Sequence, residues 1–226
     1  MLNPEISSAN TTALVLAGGR ASRMGGMDKG LVPFCGQALV HTVLQRLALQ
    51  SGGAPQGVLI NANRNAADYL ALGEQVWGAG QVSVVADTVV DFAGPLAGFL
   101  VGLAQCPTGY LLTVPCDSPL FPLDLAHRLQ SALQRQDADI AMVSAPEHDR
   151  HGTVTLRSQP VFCLLKVSLH ASLAQFLAAG GRKIDTWAAQ QRLVVVPFDA
   201  LGDDPRAFAN ANTLDELRAL ESGGSP

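Results

Sequence analysis

Along this chain, short runs of Val, Leu and Ile alternate with stretches whose apolar residues recur every three or four positions. The runs at 12–17, 57–61, 82–86, 110–114, 140–144 and 193–196 are short, β-branched and bounded by turn residues, so they predict strands. Val40, Val43, Leu44 and Leu47 fall at i, i+3, i+4 and i+7, which predicts a helix across the first crossover. Leu125, Leu129 and Leu133 mark a second such stripe, and Leu169, Leu173, Phe176 and Leu177 a third that stops at Gly180-Gly181. Thr213 with Glu216 three residues later is the pattern of a capping box opening a last helix. Strands alternating with helices in this way predict βα units around a largely parallel sheet. The pattern changes after Ser144: runs at 153–156 and 161–165, separated by "RSQP", predict two short strands of an antiparallel, hairpin-like insertion. The expected fold is therefore a three-layer α/β/α sandwich, a mostly parallel sheet with an antiparallel insertion.

Composition narrows the class. A chain of 226 residues, 48% of them apolar, suffices for one α/β domain with a substantial core, here 1–226 with loose tails at 1–10 and 221–226. No window approaches the roughly 18 apolar residues of a membrane span, and the first ten residues lack the pattern of a signal peptide. The cysteines, Cys35, Cys106, Cys116 and Cys163, form no C-x-x-C pair, so free thiols in a reducing cytoplasm are expected rather than a zinc or redox site. A net charge of -4 argues against a nucleic-acid partner, since a phosphate backbone calls for a basic face. A phosphate ligand must instead meet a local positive spot. Lysine occurs only at Lys29, Lys166 and Lys183, and the first of these lies in a glycine-rich stretch.

That stretch, "LAGGRASRMGGMDKGL" from Leu16 to Leu31, follows the first predicted strand. In open α/β sheets, ligands gather at the C-terminal ends of strands. Gly18 and Gly19 let backbone N–H groups approach one anion, while Arg20, Arg23 and Lys29 bring charge and Asp28 is the acid among them. The P-loop pattern G-x-x-x-x-G-K-[ST] and the dinucleotide pattern G-x-G-x-x-G are both absent. The competing reading is a glycine-rich surface loop.

The stretch resembles the signature loop of nucleotidyltransferases, with the form L-A-G-G-x-x-x-R-M-G-G-x-D-K-G-L, most closely that of the molybdenum cofactor guanylyltransferase family. Further segments resemble that family's later motifs in the same order: "INANR" at 60–64, "VADTVVDFAGPLAG" at 85–98, "TVPCDSPLFP" at 113–122 and "FANANTLDEL" at 208–217. The resemblance implies a nucleotide-diphospho-sugar transferase-like fold. It implies transfer of GMP from GTP to the terminal phosphate of molybdopterin carrying molybdenum, with release of pyrophosphate and Mg²⁺ as cofactor. Proteins that deliver and receive the cofactor are implied as transient partners, and no membrane or nucleic acid.

Carried onto this chain, the resemblance places base and sugar against the backbone of Leu16, Ala17 and Gly18 and wraps the phosphates from Gly19 onward. Lys29, helped by Arg23, faces the phosphates during transfer. Asp117 follows the apolar run "YLLTVP", where a carboxylate can hold Mg²⁺ or merely cap a turn. Asp87 ends another strand, and the family uses its equivalent at the nucleotide. Asn61 is either a turn residue or a reader of a base edge. Asn210 and Asn212 stand where the family meets the pterin, although a plain helix cap also explains Asn212. His148 and His151 lie in "PEHDRHG", which reads as a polar loop because no third ligand is suitably spaced. Trp77 and Trp187 read as packing residues. Relatives that transfer CMP tend to carry L-A-A-G where this chain has Ala17-Gly18-Gly19, so guanine is favoured over cytosine. A nucleotide-binding adaptor without chemistry is the alternative from another class, set against the joint presence of Lys29, Asp87 and Asp117.

Overall fold

A computed structural model describes residues 6–18, 28–88, 94–148 and 153–223. Its elements run β1 (Thr11–Leu16), β2 (Pro33–Phe34), β3 (Gln37–Ala38), α1 (Leu39–Ala48), β4 (Gly57–Asn61), α2 (Ala66–Trp77), β5 (Val82–Val85), α3 (Pro95–Gln105) and β6 (Tyr110–Pro115). They continue with α4 (Leu125–Arg135), β7 (Ile140–His148), β8 (Val154–Lys166), α5 (His170–Ala178), α6 (Ile184–Ala188), β9 (Leu193–Pro197) and α7 (Leu214–Glu221).

The main sheet has the order β5-β4-β1-β6-β8-β7-β9. Every neighbouring pair is parallel except the two that involve β8, which runs against β6 on one side and β7 on the other. The chain leaves β1 toward β4 and β5, then returns to place β6 on the opposite side of β1. That reversal opens a crevice beyond the C-terminal ends of β1 and β6, the usual ligand position in open α/β sheets.

Side-chain alternation along the strands supplies both faces of the sheet. Ala13 and Val15 of β1 join one apolar cluster with Val40, Val43, Leu44 and Leu47 of α1, Tyr69 of α2 and Leu125, Leu129 and Leu133 of α4. Leu14 faces the other way, into a cluster with Phe99 and Leu103 of α3, Leu173 and Leu177 of α5 and Trp187 of α6. The expected three layers are present. The α1 stripe is fully buried at all four periodic positions, each contributing about 1.5–3 kcal/mol relative to exposure. Trp187 packs inside the second cluster with its indole N–H directed to Ser172 Oγ at 3.3 Å, and Trp77 donates to the Leu44 carbonyl at 3.2 Å, so both are packing residues. A smaller cluster joins α7, through Leu217 and Leu220, to Val32, Phe34 and Leu39 around the β2–β3 pair.

One sequence expectation needs correction. The runs at 153–156 and 161–165 are one strand, β8, which pairs with β7 and β6 rather than with itself. "RSQP" is not a turn: the register against β7 jumps there, Met142 facing Cys163 and Val143 facing Gln159. Pro160 is tolerated because it stands in this irregularity, where the ladder asks no N–H of it. Residues 8–10 form a 3-10 turn in which Asn10 Oδ1 accepts the Gly109 N–H at 2.8 Å. Among the described residues, no helix is long and apolar enough to cross a membrane.

At the sheet end opposite the crevice, Asp139 accepts from Lys166 at 3.0 Å and from Arg192 at 2.7 and 2.9 Å, joining β7, β8 and β9. The Arg192 hydrogen bond first, then Lys166, lowers the Asp139 carboxyl to about 2, against the opposing effect of burial. A depressed carboxyl contributes stability that is complete above its ordinary range near 3.8 and is lost as pH falls toward about 2. Asp139→Asn is therefore expected to lower the melting temperature at pH 7 and to leave it nearly unchanged close to pH 2, measured by circular dichroism across that range. Equal losses at both pH values would refute the ionic origin.

Candidate active site

Three groups of polar side chains meet at the C-terminal ends of β4, β1 and β6. Strand β6 ends at Pro115, level with Leu16 of β1, and the Cys116 N–H extends the ladder by donating to the Leu16 carbonyl at 3.0 Å. Asp117 is thus delivered to the crevice by the last rung of the sheet. Its Oδ2 is in direct contact with the Lys29 ammonium, and the two side chains are 19% and 22% exposed, so the pair borders solvent.

The Lys29 ammonium also donates to Asn212 Oδ1 at 2.9 Å. Asn212 is held by the start of α7, where Glu216 accepts its N–H at 2.6 Å and the Thr213 N–H at 3.2 Å, while Thr213 Oγ1 accepts the Glu216 N–H. The capping box expected from the sequence is present and does more than begin a helix: it presents a side chain to the lysine. One residue earlier, the Ala211 N–H donates to the Asp117 carbonyl at 2.9 Å, and Asn210 Oδ1 is hydrogen-bonded to the Ser118 hydroxyl. The segment 210–212 therefore lies as a strap across Asp117 and Ser118, although it is over ninety positions away from them in sequence.

The second group is built around Asp87. Asn61 Nδ2 donates to Asp87 Oδ1 at 2.9 Å and to the Val85 carbonyl at 3.2 Å, so both its N–H groups are engaged. Asn63 Nδ2 donates to Asp87 Oδ2 at 2.8 Å, and Asn63 Oδ1 accepts the Asp87 N–H at 2.8 Å. In this arrangement Asn61 braces Asp87 and keeps Oδ1 as an acceptor. Its carboxamide is wedged against two glycines: a Cβ on Gly18 would come within 3.1 Å of Oδ1, and one on Gly98 would collide with it and with Leu16. Backbone at Leu16, Ala17 and Gly18 runs beside this group, with the Ala17 N–H donating to the Asn61 carbonyl at 2.9 Å.

The third group lies behind the lysine. Asp28 is 7% exposed and accepts from the Tyr69 hydroxyl at 2.8 Å and from Asn65 Nδ2 at 3.3 Å. Burial, followed by the neighbouring Cys116 and Asp28, pushes the Tyr69 phenol far up, so it remains a donor at any ordinary pH. Burial likewise raises the Cys116 thiol, which leaves it an inert packing residue beside Asp117.

The first two groups bring one ammonium, the two carboxylates of Asp87 and Asp117, and the four asparagines Asn61, Asn63, Asn210 and Asn212 to one end of the sheet, where a polyanion and a divalent cation can be held together. A cation already faces Asp117 Oδ2, so the site suits positive charge, and a hard carboxylate oxygen suits Mg²⁺. Among the described residues no cluster of three or more acidic, His or Cys side chains could hold a metal unaided. The fit is therefore to a metal that takes at most two carboxylates from protein and its other ligands from phosphate and water.

The family model described as the MobA-like NTP transferase domain matches residues 13–223. The chain belongs to this family. Among its MobA-like relatives, a molybdenum cofactor guanylyltransferase of Acidovorax sp. (strain JS42) is 57% identical over 97% of this chain and 99% of its own length. Another so named, from Cupriavidus metallidurans, is 51% identical over 96% and 97%. The molybdopterin-guanine dinucleotide biosynthesis protein A of Archaeoglobus fulgidus superposes with a TM-score of 0.69 at 21% identity, covering 93% of this chain and 97% of that one. The 4-diphosphocytidyl-2C-methyl-D-erythritol synthase of Anaerococcus prevotii does so with 0.72 at 12% identity, covering 96% and 97%. Such distant likenesses fix a nucleotidyltransferase fold for the MobA-like chain.

Of the residues singled out in the sequence, Lys29, Asp117 and Asn212 come together directly, Asn210 reaches Ser118, and Asn61 meets Asp87. Gly19, Arg20 and Arg23 lie outside the described residues, as do residues 149–152, which include His151. Sequence reasoning missed Asn63, Ser118, Asn65 and Tyr69. The first two lay inside quoted motifs and offered a signal, whereas Tyr69 is one aromatic in an apolar helix and offered none.

Proposed function

We propose that this protein transfers GMP from GTP to the terminal phosphate of molybdopterin carrying molybdenum, releasing pyrophosphate and forming the guanine dinucleotide form of the cofactor. Relatives more than half identical over nearly the whole chain carry the name molybdenum cofactor guanylyltransferase. The observation that carries the residue assignment is the contact of Lys29 with Asp117 and Asn212 at the reversal point of the sheet.

A terminal phosphate oxygen of the acceptor attacks the α-phosphorus of GTP, forming a new P–O bond as the bond to the β-phosphate bridging oxygen breaks. The electron pair leaves with pyrophosphate. No protein nucleophile is needed, so the residues align two polyanions and balance charge as it moves. Lys29 turns from Asp117 toward the phosphates, and Arg23 assists it. The backbone at Leu16, Ala17 and Gly18 borders base and ribose, with Gly19 at the start of the phosphate wrap. Asp87, fixed by Asn61 and Asn63, presents a rigid carboxylate on the nucleotide side. Asn210 and Asn212 stand on the acceptor side. Asp117 would hold Mg²⁺, which would supply Lewis-acid charge during transfer. Proteins that deliver molybdopterin and receive the product make transient contacts with the same face.

Pyrophosphate release is to be measured with GTP, CTP and ATP in turn, with Mg²⁺ and molybdenum-loaded molybdopterin. Release confined to GTP is expected. Release from CTP would reassign the protein as a cytidylyltransferase, and none from any nucleotide with a competent acceptor would make it a nucleotide-binding adaptor.

A further inference from the structure

We infer that Tyr69 is a positioning residue that aims Lys29, acting through the buried Asp28 carboxylate and through the backbone of Gly30. The inference rests on the proposed action of Lys29 on phosphate. Asp28, Lys29 and Gly30 are consecutive, and a 3-10 turn closed by the Leu31 N–H donating to the Asp28 carbonyl at 2.9 Å begins there. Tyr69 touches this turn on both sides of the lysine. Before it, the phenol donates to Asp28 Oδ1 at 2.8 Å; after it, a Cβ on Gly30 would lie 2.6 Å from the same hydroxyl oxygen. Only a bare backbone fits there, so the turn is clamped against one atom.

The clamp is anchored at its far side. Tyr69 is fully buried in α2 and shares its apolar cluster with Cys116, the residue before Asp117. The base of the lysine and the base of its carboxylate partner are therefore referenced to the same rigid packing. Asn65, the N-cap residue of α2, reaches Asp28 Oδ2 from the exposed side at 3.3 Å. A side chain as long as lysine converts a small tilt of this turn into a large displacement of its ammonium, and displacements of about 1 Å at a reacting group can cost about a hundredfold in rate.

The test is a double-mutant cycle on the full chain, with single-turnover pyrophosphate release from GTP, nucleotide affinity and melting temperature measured for each variant. Tyr69→Phe keeps the ring and removes the hydroxyl. It is expected to slow the single-turnover rate about tenfold with little change in GTP affinity. Asn65→Ala is expected to lower the same rate by a smaller factor. In a Lys29→Ala background, Tyr69→Phe is expected to change the rate less than about twofold, because the group it aims is gone. A general loosening of the fold would slow both backgrounds alike. Equal losses in the two backgrounds, or an unchanged rate in Tyr69→Phe, overturn the positioning role while leaving the function of the site intact. A Lys29→Ala protein as fast as the parent overturns the reading of Lys29 itself, and the positioning role with it.

Discussion

Asp117→Asn is expected to lower pyrophosphate release from GTP by at least about a thousandfold, the largest single loss available in this site. The amide keeps the volume of the carboxylate and can still accept from Lys29, and the Asp117 carbonyl still receives the Ala211 N–H, so the strap stays in place. The melting temperature is expected to stay within about 5 °C of the parent. What changes is charge. A neutral oxygen is a poor ligand for a hard divalent cation, and no acidic cluster among the described residues could take over. Initial rates against Mg²⁺ concentration are the check: a variant that keeps a tenth or more of the parental rate would remove Asp117 from the metal position.

Lys29→Ala is expected to reduce the rate of transfer by roughly a hundred- to a thousandfold, the scale of losing one charge aimed at a developing anion. Stability should hardly move. The Lys29–Asp117 pair borders solvent, and pairs of that kind contribute about 0–1 kcal/mol. A second readout separates this role from a structural one. In the free protein the lysine neutralises the carboxylate that is proposed to take the metal, so its removal leaves that carboxylate bare. Mn²⁺, followed by electron paramagnetic resonance, is therefore expected to bind the nucleotide-free variant more tightly than the parent. Weaker or equal binding would mean that Lys29 does not compete with metal at Asp117.

Where the sequence was legible, a single local rule decided the matter. Strands β1, β4 and β6 are buried along almost their whole length and read as largely apolar runs, and the α1 stripe reads at helical spacing. The capping box at Thr213 is a local code and was found where it was expected. Asp117 and Lys29 could be named because each ends or follows a recognisable motif. The illegible parts depend on partners distant in the chain. Strand β8 contains Pro160, which locally signals a break, and only the register shift against β7 shows why it is harmless. Tyr69 looks like any core aromatic until Asp28, 41 positions earlier, is seen to accept its hydroxyl. The bracing of Asp87 by Asn61 was equally hidden, because Val85 and Asp87 lie more than twenty positions further along the chain.

The strap formed by residues 210–212 bears on the order in which the protein comes into being. Synthesis delivers the chain from its N-terminus, and a domain generally folds as a unit. Strands β1, β4, β5 and β6, the turn that carries Lys29 and the segment after β6 that carries Asp117 are all made long before the strap. The pair of Lys29 and Asp117 therefore lacks its Asn212 partner until the C-terminal segment has been made. On the proposed assignment of Asn210 and Asn212 to the acceptor, an unfinished chain therefore has no built place for acceptor phosphate and no means of starting a transfer.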